Sequence, residues 1–138
     1  MASLNRHQLR QGALQSLFGL SMNPDADLEV VVAQVMAGDP EIKWEGALPA
    51  DLIDLVTAVL AHQDEIDLLI AENLADGWTL DRLNLIDVVL LRLAIYEARY
   101  TDTPAKISVN EALNLAKEFS DEKSGKFING VLGKVLTF

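Results

Sequence analysis

Apolar residues recur at spacings of three and four along nearly the whole 138-residue chain, and no convincing two-residue alternation interrupts them. That spacing places the apolar side chains on one face of successive α-helices, as in the series Leu52, Val56, Val59 and Leu60. Half of the residues are hydrophobic, which is enough for a packed core. The pattern therefore predicts an all-α fold of six or seven helices, in one domain that covers residues 1–138.

Local signals predict where the first helices begin. Asn5, followed three residues later by Gln8, is typical of a helix cap, and the pair Asn23-Pro24 is typical of the start of a second helix. A longer helical stretch follows Pro49, with a break or bend near 62–64. After Gly77 closes this stretch, Thr79 is the predicted cap of the next helix, which runs to about residue 100.

The last two helices are set apart by Pro104. Ser108 and Glu111 have the spacing of a capping box, and the final helix is predicted to begin near residue 120 or 124. Gly130 and Gly133 lie inside that helix, where each glycine costs about 1 kcal/mol relative to alanine. Such glycines indicate a close approach of the backbone to a neighbouring helix or to a ligand, and packing against a helix is the favoured alternative.

The composition excludes several classes of protein. There is no cysteine, which rules out disulfides, thiolate metal sites and thiol nucleophiles. The apolar runs are far shorter than the roughly 20 residues that a bilayer span needs, so no membrane association is expected. The first residues lack the hydrophobic core of a signal peptide. We therefore expect a cytoplasmic protein.

The charge is distributed unevenly along the chain. The formal net charge is −10, which by itself argues against a nucleic-acid partner. All of the acidic residues, however, lie between Asp25 and Glu122. The segment before them carries Arg6, His7 and Arg10, and the segment after them carries three lysines. This asymmetry predicts two basic ends on an acidic body, although a solvated acidic protein with chance basic ends is an open alternative.

No pattern indicates catalysis, a metal or a cofactor. His7 and His62 are too far apart for a helical metal pair. The alternating acidic residues 25–29 lack the glycine and the closing glutamate of a calcium loop. Gly125-Lys126 lacks the upstream glycine and the following hydroxyl residue of a phosphate-binding loop. The chain is therefore not expected to be an enzyme.

Asp87 is an unusual charge, because it lies on the same helical side as Leu83 and Leu90. A carboxylate on an apolar face is costly to bury unless it is paired or hydrogen-bonded. One interpretation is a salt bridge inside the bundle with Arg92 or Arg99. The other is a contact point for a basic partner protein.

Several segments together resemble the NusB family of bacterial transcription antitermination factors. The resemblance spans nearly the whole chain and is thin between residues 22 and 46. Its pieces in order are Arg6-His7, Arg10, Ala13, Leu17-Phe18, Gly77-Trp78, Arg82-Leu83, Leu91–Glu97, Val109–Ala112, Ala116-Lys117 and Lys126–Leu132.

The resemblance implies a fold of two small helical bundles packed together. It also implies binding to the single-stranded boxA element of ribosomal RNA leaders, jointly with the ribosomal protein NusE, within the antitermination complex of RNA polymerase. Whether such a protein is a monomer or a homodimer stays open. The residues that it places at the RNA are Arg6, His7, Arg10, Phe18, Lys123, Lys126, Phe127 and Asn129, and Asp87 falls in the region that faces NusE.

Two aspects of this interpretation are open. Phe18 and Phe127 fit either a core position or a stacking contact with an RNA base. The first helix is expected to present Arg6 and Arg10 on its surface, fewer arginines than in many relatives, so the chain alone should bind RNA weakly.

The runner-up function is a protein-only scaffold, and an enzyme module is a distant third. The RNA-binding function and the scaffold function differ in one structural expectation: only RNA binding requires the two basic ends of the chain to meet on one face.

Overall fold

The computed structural model describes residues 4–39 and 44–136. These residues form seven α-helices and one 3₁₀ turn, which confirms the all-α prediction. The helices are α1 (Arg6–Met22), α2 (Leu28–Gly38), α3 (Ala50–Ala61), α4 (Gln63–Glu72), α5 (Leu85–Tyr100), α6 (Ala105–Phe119) and α7 (Glu122–Val135), and the 3₁₀ turn is Leu80–Arg82. No helix in the described ranges is both long and apolar enough to cross a membrane.

The chain divides into two compact units, Met1–Leu60 and Ala61–Phe138. In the first unit α1 packs along α2, and Leu14, Val32 and Leu52 are completely buried. Gly12 permits close packing in this unit, because a Cβ atom there would lie 3.1 Å from the side chain of Leu52 and 3.2 Å from that of Met36. A glycine in the middle of α1 is therefore explained by its neighbours.

The second unit is built around α5, which contacts α4, α6 and α7. Because neighbours cover it on several sides, α5 is buried over most of its surface. Its completely buried side chains, Val89, Leu91 and Ile95, face the apolar sides of the surrounding helices. Ile128 of α7 is also completely buried. This packing fixes the positions of the α5 and α7 side chains that concern function.

The predicted start of α1 and the predicted break in the middle of the chain are both confirmed. The side chain of Asn5 accepts a hydrogen bond from the backbone N–H of Gln8 (2.7 Å), and the Gln8 side chain accepts one from the N–H of Asn5 (3.0 Å). The capping box is therefore complete. His62 separates α3 from α4.

The prediction that Asn23-Pro24 starts the second helix is wrong. The N–H of Asn23 donates to the carbonyl of Gly19 (3.0 Å), so Asn23 closes α1. The cap of α2 is Asp27, whose Oδ1 accepts from the N–H of Glu29 (2.9 Å). Asp27 directly precedes the apolar residues of α2, whereas Asn23 is the C-terminal cap of α1.

Two further helix starts differ from the predictions. Thr79 caps only the 3₁₀ turn, and α5 begins after Asn84 because the backbone is extended at Leu83. Helix α6 begins after Pro104, whose carbonyl accepts from the N–H of Ser108 (3.1 Å). Ser108 therefore lies buried in the second turn, and the predicted capping box with Glu111 is wrong.

The favoured explanation of Gly130 and Gly133 is also wrong. A Cβ atom at either position would meet no heavy atom within 4 Å outside its own helix. Neither glycine is therefore required for packing against a neighbouring helix. The start of α7 lies between the two predicted positions, with Asp121 as its cap.

Candidate nucleic-acid interface

The basic residues of α1 are in different environments. Arg6 is exposed in the first turn and His7 is half-buried. Arg10 is only 8% exposed, so the expectation that it lies on the surface is wrong. It lies one turn after Arg6, where the helix faces the interior of its unit. Arg6 is therefore the arginine of this helix that is open to a phosphate group.

Phe18 lies near the end of α1 and is half-buried. The preceding residue, Leu17, is buried, as is Leu20 two positions later. The ring of Phe18 thus has one part in the packed interior and another part open to solvent. The half-buried position of Phe18 is compatible with both of its predicted roles, as a core residue and as a stacking contact with a base.

The first half of α7 carries the second group of predicted RNA-binding residues. Its cap is tight, because Oδ1 of Asp121 accepts from the N–H of Ser124 (2.9 Å). Lys123, Lys126 and Asn129 follow at intervals of three and are all exposed, while Phe127 is half-buried. Intervals of three place these side chains along one side of a helix. The structure therefore brings three of the predicted contacts into one polar row.

Two pockets flank this row within the second unit. Lys123 and Phe127 line a cavity of about 440 Å³, together with Trp78, Arg82 and Asp87. On the other side, Lys126 and Asn129 line a wider depression of about 550 Å³ between α6 and α7, together with Lys117. The row of α7 thus has a cavity on one side and a groove on the other.

Lys117, Trp78 and Arg82 were not predicted as site residues. Trp78 is 53% exposed, and the guanidinium carbon of Arg82 lies 5.6 Å from the centre of its ring. Nη1–H of Arg82 also donates to the carbonyl of Gly77 (2.8 Å). A large aromatic residue in a polar segment next to an arginine was the signal that could have revealed this pair.

Asp87 lies in α5 and is only 6% exposed. Burial raises the pKa of its carboxyl group, the hydroxyl of Ser124 acts in the opposite direction, and the nearby carboxylate of Asp121 raises the pKa further. Its Oδ1 atom has no hydrogen-bond partner among the described residues. Asp87 therefore carries one unpaired carboxylate oxygen, and it lines the same cavity as Lys123 and Phe127 of α7.

The predicted salt bridge between Asp87 and an arginine of its own helix is wrong. Nε of Arg92 lies 2.8 Å from Oδ1 of Asp67 in α4, and Arg99 is exposed. Arg92 points to α4 because it lies five residues after Asp87, on a different side of α5.

The structure thus distributes the predicted RNA-binding residues over two groups. Arg6, His7, Arg10 and Phe18 lie on α1 of the first unit, and the other four lie on α7 of the second. Within the described ranges no three His, Asp or Glu side chains come together in a way that could hold a metal ion. The arrangement consists of cations, amides and partly exposed rings, which is the chemistry of RNA recognition.

The sequence model of the NusB family matches residues 7–137. The chain belongs to the NusB family. It is 46% identical over 135 residues to the transcription antitermination protein NusB of Lactiplantibacillus plantarum, covering 97% of this chain and 96% of the relative. The same protein of Levilactobacillus brevis is also 46% identical, with 97% and 94% covered.

Solved NusB structures share this fold. NusB of T. maritima superposes with a TM-score of 0.78 at 30% identity, covering 97% of this chain and 92% of that one. A crystal structure of the antitermination factors NusB and NusE in complex with double-stranded RNA contains a chain with a TM-score of 0.77 at 25% identity, with 94% of each chain covered. The NusB-family fold therefore extends over both units of this chain.

Proposed function

We infer that this chain is a transcription antitermination factor. In this role it binds the boxA RNA of ribosomal RNA leaders jointly with NusE and helps RNA polymerase to read through terminators in the cytoplasm. The observation that carries the proposal is the family match over residues 7–137, supported by 46% identity to a curated antitermination protein. The activity is binding, and no catalytic step forms part of it.

The proposed RNA contacts are the residues that the sequence predicted. Their exposure in the structure decides which role each of them is given. Exposed Arg6, Lys123 and Lys126 neutralise phosphates, and Asn129 offers a polar group to the RNA. The half-buried rings of Phe18 and Phe127 stack on bases where they are open to solvent. His7 is a further proposed contact with the RNA. Arg10, which is buried in this structure, is proposed to act as a supporting residue of α1.

The negative charge of the chain explains why a second protein is needed. Because the chain has a net charge of −10, long-range electrostatic repulsion opposes the approach of RNA to the basic residues. A basic partner such as NusE covers acidic surface and extends the positive track. The assignment of Asp87 to the NusE contact stays a prediction.

A titration of labelled boxA RNA with this protein, in the presence and absence of NusE, tests the proposal. Binding that is weak for the single protein and much tighter for the pair supports it. Absence of binding by the pair contradicts it and favours the protein-only scaffold, for which the predominantly acidic middle of the chain is the supporting observation.

The same proposal places Arg6 and Lys126 on one continuous face. Because the chain has no cysteine, a variant with Arg6→Cys and Lys126→Cys carries a single pair of thiols. We expect a bifunctional thiol reagent that spans a few nucleotides of RNA to link this pair within one molecule. Failure to link while each thiol is separately reactive would favour the scaffold.

A further inference from the structure

The segment between α4 and the 3₁₀ turn contains a tight turn built around an Asp-Gly pair. The N–H of Trp78 donates to the carbonyl of Ala75 (3.1 Å), which places Asp76 and Gly77 at the two central positions of a four-residue turn. Gly77 has a φ of +84°, in the left-handed region that favours glycine. Residues 75–79 are all exposed. The Asp-Gly pair is therefore open to solvent on the surface.

The backbone nitrogen of Gly77 is accessible to the carboxyl group that precedes it. No backbone carbonyl in residues 4–39 and 44–136 accepts a hydrogen bond from the N–H of Gly77. A Cβ atom at Gly77 would meet no heavy atom within 4 Å, so no neighbouring group covers this position. Because glycine has no side chain of its own to shield the nitrogen, the nitrogen can approach the carboxyl carbon of Asp76 and close a succinimide ring.

We propose that Asp76-Gly77 is a site of covalent modification, at which the aspartate converts spontaneously to isoaspartate. In the first step the nitrogen of Gly77 attacks Cγ of the protonated carboxyl group of Asp76. The N–Cγ bond forms, and the hydroxyl group leaves as water with the proton of the N–H. In the second step water adds to the succinimide at the original backbone carbonyl of Asp76, and the bond from that carbonyl to the nitrogen breaks.

The product has the composition of the starting chain, because the water lost in the first step is regained in the second. Its main chain runs through the side-chain carbon of Asp76, and a free carboxylate remains at the former backbone carbonyl. No reactant other than water is needed. An isoaspartyl carboxylate is the substrate class of methyltransferases that use S-adenosylmethionine. This inference does not depend on the proposed RNA-binding function.

The pair Asn129-Gly130 is protected from the same chemistry by its helix. Both residues are exposed. In an unfolded chain asparagine before glycine reacts faster than aspartate, since a neutral amide is attacked more readily than an ionised carboxylate. The pair lies inside α7, however, where each N–H donates to the carbonyl four residues earlier and the backbone dihedrals are fixed. Ring closure there would break the helix, so the fold reverses the order in which the two pairs react.

Asp102 is an exposed aspartate that lacks the features of the turn. It lies in the segment between α5 and α6. The N–H of the following residue, Thr103, donates to Oγ1 of Thr101 (3.2 Å). Thr103 also carries a branched side chain, which shields its nitrogen. Asp102 is therefore a control for exposure within the same molecule.

The modification should displace two residues in the wall of the cavity beside α7. The carbonyl of Gly77 accepts from Nη1–H of Arg82 (2.8 Å), and the guanidinium carbon of Arg82 lies 5.6 Å from the centre of the Trp78 ring. Isoaspartate lengthens the main chain before Gly77 by one carbon atom. We expect the turn and the hydrogen bond from Arg82 to be lost, which changes the surroundings of Trp78.

The first test follows the reaction in the folded protein. The full chain is kept at neutral pH below its unfolding temperature, and peptides from successive time points are treated with an isoaspartyl methyltransferase and labelled S-adenosylmethionine. We expect label to accumulate in the peptide that contains Asp76 and not in the one that contains Asp102. Asp76→Glu should lose the label, because glutamate forms no succinimide. Absence of label at Asp76, or equal label at Asp102, overturns the proposal.

The second test compares the folded chain with the chain in urea. Conversion of Asn129 to a carboxylic acid is followed by the mass increase that accompanies replacement of the amide nitrogen by oxygen. We expect Asn129 to react faster than Asp76 in urea and more slowly than Asp76 in the folded chain. The same order of rates under both conditions overturns the claim that the fold directs the reaction.

The third test measures the effect on the cavity wall. In the Trp44→Phe variant, Trp78 is the remaining tryptophan of the two in the chain. We expect the isomerised form, separated by chromatography, to differ in Trp78 fluorescence from the fresh protein. Treatment with the methyltransferase and S-adenosylmethionine, which returns isoaspartate to the succinimide, should restore the original emission. Identical emission before and after isomerisation overturns the predicted displacement.

Discussion

Arg92 and Asp67 form a two-point ion pair that joins α5 to α4. Nε of Arg92 donates to Oδ1 of Asp67 at 2.8 Å, and Nη2 donates to Oδ2 at 3.0 Å. Both side chains are largely buried, with 14% and 23% of their surfaces exposed. Paired donors and acceptors in this geometry are stronger than a surface ion pair.

Removal of one partner should therefore destabilise the second unit. We expect Asp67→Asn to lower the free energy of unfolding by about 2 kcal/mol, because the guanidinium loses a charged acceptor in a partly buried place. Urea denaturation followed by circular dichroism measures the change. Asp54→Asn, at an exposed position, is the control. Equal midpoints for the two variants would show that the ion pair contributes little.

The buried carboxyl group of Asp87 predicts a pH-dependent stability. Its pKa is raised by burial, so the folded state holds this proton at pH values where the unfolded state has lost it. The contribution of this group to stability is therefore greatest at low pH and falls as the pH rises through the raised pKa. We expect Asp87→Asn, which mimics the neutral form, to gain thermal stability relative to the unsubstituted chain as the pH rises from about 4 to 7. A difference that does not vary with pH would contradict this account.

Replacing Gly133 or Gly12 by alanine should change the stability of the protein in opposite directions. Gly133→Ala adds a methyl group that meets nothing within 4 Å, so it should stabilise α7 by about 1 kcal/mol. In Gly12→Ala the new methyl group would lie 3.1 Å from the side chain of Leu52, so we expect a loss of stability. Thermal unfolding of both variants measures the difference. Destabilisation by Gly133→Ala would indicate that the backbone there is packed after all.

Replacing Arg10 by alanine should change the free energy of unfolding, whereas replacing Arg6 should not. Arg10 is buried and Arg6 is exposed, although they are one turn apart. We expect Arg10→Ala to lower the free energy of unfolding by on the order of 2 kcal/mol, through lost packing of its stem and lost polar contacts. Arg6→Ala should leave it nearly unchanged. Equal stability of both variants in urea would mean that Arg10 is not a structural residue.

Local patterns in the sequence were sufficient to predict that the chain is helical and where some of the helices begin or end. The Asn5 cap and the break at His62 depend on neighbouring residues only, and both were predicted correctly. The start of α6 was not, because the carbonyl of Pro104 already accepts the first helical hydrogen bonds and moves Ser108 into the second turn.

Only part of the candidate site could be predicted from the sequence: Arg6, Lys123 and Lys126 are exposed as expected, but Arg10 is buried. The exposure of the α7 lysines follows from the helical period. The partner of Arg92 lies 25 residues away in the sequence, and periodicity within α5 does not indicate it. The cavity that joins Asp87 to Phe127 likewise arises from the packing of α5 against α7. Contacts of this kind depend on how helices pack, which no single helical pattern contains.

The measurement that tests the central claim most directly is the affinity for boxA RNA, with NusE present, over a series of salt concentrations. The variants are Arg6→Ala with Lys126→Ala and, as a matched control, Arg99→Ala with Lys106→Ala, which removes two exposed cations that are not among the proposed RNA contacts. We expect the first variant to bind more weakly and its salt slope to fall by about 1.4, since each phosphate contact on a single strand contributes about 0.7. The control should behave like the unsubstituted chain. Equal affinities and salt slopes for the two variants would contradict the proposed RNA face.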